Sequence, residues 1–137
     1  MSEQSLKGTV LLIEDEFGFR RIYHSVFKFA GYDVLDAEDG EKGFQMVVQH
    51  RPSIVLLDLL LPKMNGFDVL KKIRATEGIK DIPVIIFTVM EDAREIGIGL
   101  ALGANDYTVK GDSNPKQILD KVEEIINARR GCKVTAP

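Results

Sequence analysis

Five short apolar runs rich in β-branched residues recur along the chain: TVLLI (9–13), DVLDA (33–37), SIVLL (53–57), PVIIF (83–87) and DYTV (106–109). Each is followed by a stretch with helical spacing, and no other feature limits the fold so tightly. Most of the runs lack polar alternation, which is how strands covered on both faces read. Phe19, Ile22, Tyr23, Val26 and Ala30 mark one helical face, Gly40 to Val48 make a second segment, and Val69, Leu70 and Ile73 mark a third. Ala93, Ile96 and Leu100 suggest a fourth helix. Ile118, Leu119, Val122, Ile125 and Ile126 mark a fifth, with Pro115 suited to its first turn and Asn114 or Ser113 to its cap. Parallel strands need crossover connections, so the alternation predicts an α/β fold: a doubly wound, five-stranded parallel sheet with helices on both faces.

The 137 residues suit one domain, with a core expected over about 7–128 and a flexible tail over 129–137, where periodicity fades. A composition 45% hydrophobic and 28% charged allows a real core. The net charge of −3 gives no general reason to expect nucleic-acid or membrane partners. No apolar run approaches the ~18 residues of a membrane span, and MSEQSLKG lacks a signal-peptide core, so a cytoplasmic protein is expected. The lone Cys132 excludes an internal disulfide and reads as a tail thiol. The fourth helical segment holds Gly97 and Gly99, each costing about 1 kcal/mol against alanine. Tight packing and deliberate mobility both account for them.

In open α/β sheets, ligands bind beyond the carboxyl ends of the strands. The first run leads into Glu14, Asp15 and Glu16, the third into Asp58, the fourth ends on Thr88 and the fifth leads into Lys110. Each residue alone has an ordinary explanation: helix N-terminal charge, strand propensity, a solvated lysine, a turn aspartate. A parallel sheet makes them converge. Two carboxylates about 4 Å apart repel by about 4 kcal/mol at an effective dielectric near 20, so the cluster calls for a cation. A hard divalent ion such as Mg²⁺ takes few carboxylates plus water and leaves room for phosphate oxygens. Lys110 adds a mobile ammonium and Thr88 a hydroxyl. Together these are parts for in-line phosphoryl transfer to a carboxylate.

From Lys7 to about Ala128 the chain resembles the receiver domain of two-component response regulators, of the chemotaxis-regulator-like kind. The resemblance rests on LLIEDE, VLLDLLLPKMNG, FTV and GANDYTVK in order, and on the separations between Asp15, Asp58, Thr88 and Lys110. It implies a flavodoxin-like sheet of order 2-1-3-4-5. It implies that Asp58 accepts a phosphoryl group from a sensor histidine kinase or phosphotransfer protein. Glu14, Asp15, Asp58 and the backbone carbonyl of Leu60 would hold Mg²⁺. Thr88 and Lys110 would bind phosphoryl oxygens, Tyr107 would be the switch aromatic, and Gly66 would permit the turn into the third helix. The readout would be the surface of the fourth helix, fifth strand and fifth helix. It would serve a downstream protein target or a homodimer formed on phosphorylation.

Two departures stand out. Gly111 follows Lys110 where the family usually has a cis proline, so either a trans bond with a rearranged loop 110–114 or a strained exception is expected. Glu14 also replaces the commoner aspartate. Leu60 and Met90, at positions that line the approach of water in the family, are apolar and predict slow loss of the phosphoryl group. The competing readings are a degenerate receiver serving as an interaction module, an aspartate-nucleophile phosphatase and a flavodoxin-like cofactor carrier. The intact set of five residues opposes the first. A phosphatase would place its nucleophile at the first strand end, and the acidic IEDEFGF turn is wrong for a cofactor phosphate. No DNA-binding module fits in the residues after Ala128.

Overall fold

The computed structural model describes residues 7–134, and in it the alternation becomes β1 (Thr9–Ile13), α1 (Phe17–Phe29), β2 (Asp33–Ala37), α2 (Gly40–His50) and β3 (Ile54–Leu57). There follow α3 (Gly66–Ala75), β4 (Val84–Thr88), α4 (Ala93–Ala101), β5 (Asp106–Val109) and α5 (Pro115–Val134). The five strands are parallel in the order β2-β1-β3-β4-β5, as expected.

Because strand side chains alternate between faces, the continuous apolar runs divide into two cores. Leu11, Ile13, Val55, Leu57, Val84 and Ile86 pack with Val47 of α2 and with Val69, Leu70 and Ile73 of α3. Val10, Leu12, Ile54, Leu56, Ile85 and Phe87 face the other way, onto Tyr23 and Phe27 of α1 and Ile118, Val122 and Ile126 of α5. Both faces of the three central strands are therefore dry, and the charged side chains gather beyond the strand ends.

The helices start where side-chain acceptors can catch their free amides. Glu16, Asp39, Asn65 and Asp92 cap α1 to α4. Asn114 caps α5: its Oδ1 accepts from the Gln117 amide at 2.9 Å, while Gln117 Oε1 accepts from the Asn114 amide at 2.8 Å, a reciprocal capping pair. This helix runs to Val134, beyond the expected core limit at 128, so the tail expected from 129 is helical that far; 135–137 lie outside the described residues. Gly131 weakens the helix without supplying a stop. Arg129 and Arg130 also fasten this stretch, donating to the carbonyls of Asp81 at 3.0 Å and Lys7 at 2.7 Å.

Candidate functional site

Glu14, Asp58 and Lys110 sit one step beyond their strands, yet their amides still belong to the sheet. Glu14 N–H donates to Ala37 O at 3.0 Å, Asp58 N–H to Ile13 O at 3.0 Å, and Lys110 N–H to Thr88 O at 2.7 Å. Their Cα positions are thus set by the rigid core, and only side chains remain to move. Gly66 lets α3 begin directly against this point. A Cβ there would run into the Asp58 carbonyl and the Leu59 Cα, so close approach, rather than a special turn conformation, requires the glycine.

Asp58 and Glu14 are almost wholly buried, at 5% and 6% exposure, and Asp15 is exposed. One carboxylate oxygen of each lies within 4.8 Å of the others. Lys110 supplies the balancing charge: its Nζ donates to Asp58 Oδ2 at 3.1 Å and pairs with Glu14 Oε1. Glu14 Oε2 accepts from the Glu16 amide at 3.0 Å, and Asp58 Oδ1 from the Leu60 amide at 3.2 Å. Burial works to lower the Lys110 pKa, but the hydrogen bond to Glu14 and the charge of Asp58 outweigh it, so the ammonium is held charged above its usual range. For Glu14, burial wins and raises its pKa, against the pull of Lys110 and the Glu16 amide.

Thr88 is fully buried at the end of β4, its Oγ1 3.5 Å from the Met90 amide. Tyr107 on β5 donates its hydroxyl to the Met90 carbonyl at 2.8 Å. Leu60 is half-exposed at 52%, and Met90 is partly buried. The Lys110–Gly111 bond is trans, and Gly111 takes φ +95° with the Asp112 amide closing a turn onto Val109 O at 3.1 Å. Of the two expectations for this peptide bond, the trans form is the one observed.

The two glycines of α4 part company. A Cβ on Gly99 would meet Ile86 Cδ1 at 2.6 Å and the Tyr107 ring at 3.2 Å, whereas Gly97 has nothing within 4 Å. Gly99 is a packing glycine; Gly97 only weakens its helix. The sequence reading gave Phe19 no part in the site beyond a core-facing position on α1. Its ring lies under Lys110, with Nζ 4.3 Å from the ring centroid. A helical apolar stripe carries no mark that one of its members meets a cation from β5.

Residues 10–123 match the family model described as the response regulator receiver domain. This chain belongs to that family. Among curated relatives, the "Probable transcriptional regulator ycf27" of Porphyridium aerugineum is 36% identical over 120 residues, covering 88% of this chain and 48% of the relative. The "DNA-binding dual master transcriptional regulator RpaA" of Synechocystis is 38% identical over 101 residues, covering 74% and 42%. The receiver thus spans about half the length of these regulators. Among solved structures, the chemotaxis protein CheY4 of Vibrio cholerae superposes with a TM-score of 0.79 at 26% identity, covering 85% of this chain and 97% of that one. The chain is a response regulator receiver domain of two-component signalling, with the CheY-like sheet order. Among the described residues, no helix is long and apolar enough to cross a membrane.

Proposed function

We propose that this receiver takes a phosphoryl group onto Asp58 from a phosphohistidine of a sensor kinase or phosphotransfer protein in the cytoplasm. The observation that carries this reading is the placement of Asp58: a buried carboxylate, fixed by the sheet, with an ammonium 3.1 Å away and two further carboxylates beside it. An Asp58 oxygen forms a bond to phosphorus as the phosphorus–nitrogen bond breaks, and the imidazole nitrogen leaves with the electron pair. Lys110 and Thr88 receive the phosphoryl oxygens. The donor set, three carboxylates around one point, fits a hard divalent cation, and Glu14, Asp15, Asp58 and the Leu60 carbonyl would hold Mg²⁺. When bound, the ion supplies charge neutralisation for the phosphoryl oxygens.

Phosphorylation adds about −1.5 to −2 charges at a point where the ammonium and hydroxyl can respond. Driving a switch from 1:99 to 99:1 takes about 5.5 kcal/mol of differential interaction. Tyr107 supports a path to the surface, since its ring lies where a Cβ on Gly99 of α4 would meet it, while its hydroxyl holds the loop after Thr88. The half-exposed Ile98 and Leu100 of α4 give that surface apolar contact area for a downstream protein. Incubation with a small phosphodonor and Mg²⁺, followed by intact mass, tests the reading. The expected result is a gain of one phosphoryl group that Asp58→Asn abolishes. No gain in the unmutated chain would instead favour a receiver that works as a phosphorylation-independent interaction module.

Leu60 and Met90 make the phosphoryl group long-lived in this reading, because neither side chain can orient an attacking water. Replacing both by polar residues is expected to speed phosphate loss about tenfold, the size of one positioned hydrogen bond in a transition state. An unchanged or slower rate would remove these residues from any control of lifetime.

A further inference from the structure

The Lys110 ammonium has three N–H groups and little water, since its side chain is only 10% exposed. Two directions are taken by Glu14 and Asp58, and the third contact is the face of Phe19 at 4.3 Å. The chain after Lys110 gives no comparable hold: Gly111 stands at φ +95° with nothing within 4 Å of where a Cβ would be. The ring itself is fixed. Phe19 stacks on Tyr23 at 5.1 Å with a 25° interplanar angle and leans on Phe87 at 5.2 Å, while Tyr23 meets Phe87 edge-on at 5.1 Å. Phe87 directly precedes Thr88, so the cluster that fixes the Phe19 ring also adjoins the residue that ends β4. The Phe19 backbone is anchored as well, its amide donating to Glu16 Oε1 at 2.8 Å.

We infer that Phe19 is a positioning residue for phosphoryl transfer: its ring face holds the Lys110 ammonium at the mouth of the carboxylate site. This rests on the phosphoacceptor reading above and extends it to a residue outside the polar set. A ring does what a third carboxylate could not. It attracts the ammonium through its quadrupole but leaves the full positive charge for the incoming phosphoryl oxygens. When those oxygens arrive, Lys110 exchanges a carboxylate for them without leaving the ring. The bond changes stay those already described, from phosphorus–nitrogen to phosphorus–oxygen, and Phe19 touches no reacting atom.

The test uses the full chain and its Phe19→Leu and Phe19→Tyr variants, phosphorylated with phosphoramidate and Mg²⁺. Phe19→Leu keeps the apolar bulk but removes the quadrupole, and its phosphorylation rate is expected to fall about tenfold; Phe19→Tyr keeps the ring and should stay within about twofold of the unmutated chain. NMR of the Lys110 ε-methylene, assigned by its loss in Lys110→Arg, supplies a reading that a purely structural role would not move. Ring-current displacement should be present in the unmutated chain and in Phe19→Tyr, and absent in Phe19→Leu. A Phe19→Leu protein that is phosphorylated at the unmutated rate overturns the inference. So does a slowed one whose Lys110 resonance has not moved. Should Phe19→Leu fail to fold, an undisplaced Lys110 resonance in the unmutated chain is equally decisive against it. An unmutated chain that accepts no phosphoryl group fails on its own, before Phe19 is touched, and overturns the phosphoacceptor reading instead.

Discussion

The two ends of one sheet are built on opposite principles. At the carboxyl end, Glu14 and Asp58 share one buried ammonium, with the exposed carboxylate of Asp15 beside them, so negative charge is left in excess. At the amino end, the Arg74 guanidinium is spent mainly on backbone carbonyls. Arg74, leaving α3, donates from Nε and Nη2 to Gly103 O at 3.0 and 2.8 Å, and from Nη1 to Lys80 O at 2.9 Å and Ile82 O at 2.7 Å. Its Nη2 also reaches Asn105 Oδ1 at 2.9 Å, the same oxygen that accepts from the Val84 amide at 2.9 Å where β4 begins. Burial lowers the Arg74 pKa, but a guanidinium stays protonated at any ordinary pH, so every one of these bonds is charge-assisted. One end is closed by satisfied donors, and the other is held open by carboxylates waiting for a cation or a phosphoryl group. The difference teaches where stability and function are stored: the first end can be damaged only at a cost in folding, the second only at a cost in chemistry.

The sharpest way to break that contrast is Arg74→Ala. It strands the partly buried carbonyls of Gly103 and Ile82 and takes a charged donor from the Lys80 carbonyl and from Asn105 Oδ1, so a loss of about 3 kcal/mol in urea unfolding is expected. Arg74→Lys should recover little of it, because a point charge cannot span the fork. Phosphoryl uptake by the folded fraction should be unchanged. A loss below about 1 kcal/mol would show that the amino end is not the structural end.

The glycines of α4 sharpen the comparison at the carboxyl side. Gly99→Ala must push Ile86 Cδ1 and the Tyr107 ring, and is expected to cost about 2 kcal/mol. Gly97→Ala meets open space and should stabilise the protein by up to about 1 kcal/mol through helix propensity. Thermal unfolding of the two single variants measures both, and equal shifts of the same sign would mean that α4 does not rest on Tyr107 as the contacts require.

The sequence made the carboxyl end legible and left the amino end dark. Glu14, Asp58, Thr88 and Lys110 follow apolar runs directly, and a parallel sheet converges such positions whatever the helices do. Arg74 sits in the last turn of α3, where a basic residue reads as an ordinary complement to the helix dipole. Its partners come from two loops that no periodicity brings near it. Phe19 was hidden for the related reason that a core-facing ring looks the same whether it meets a leucine or an ammonium. The two glycines of α4 could not be told apart because what touches one and not the other comes from β4 and β5.

The smallest expected effect tests whether the amino end is as closed as its bonds suggest. Tyr32, just before β2, is 3% exposed, and Lys7 Nζ lies 5.0 Å from its ring centroid. Burial first, and then the charge of Glu123 and a hydrogen bond to it, push its pKa up to about 12 from 10.0. The folded protein therefore keeps the phenol protonated where the unfolded chain loses the proton. Below about pH 10 both states are neutral and Tyr32 contributes no pH dependence; as pH rises from about 10 to 12, the unfolded chain is favoured by ionisation and stability falls. Tyr32→Phe should lose less stability across that window. It will not lose none, because burial also raises the pKa of Tyr23 and Tyr107. Urea midpoints for the two proteins from about pH 9 to about pH 11.5 give the comparison. Parallel curves would mean that the phenol ionises as freely in the fold as outside it, and that water enters the amino end as readily as it reaches Asp15 at the other.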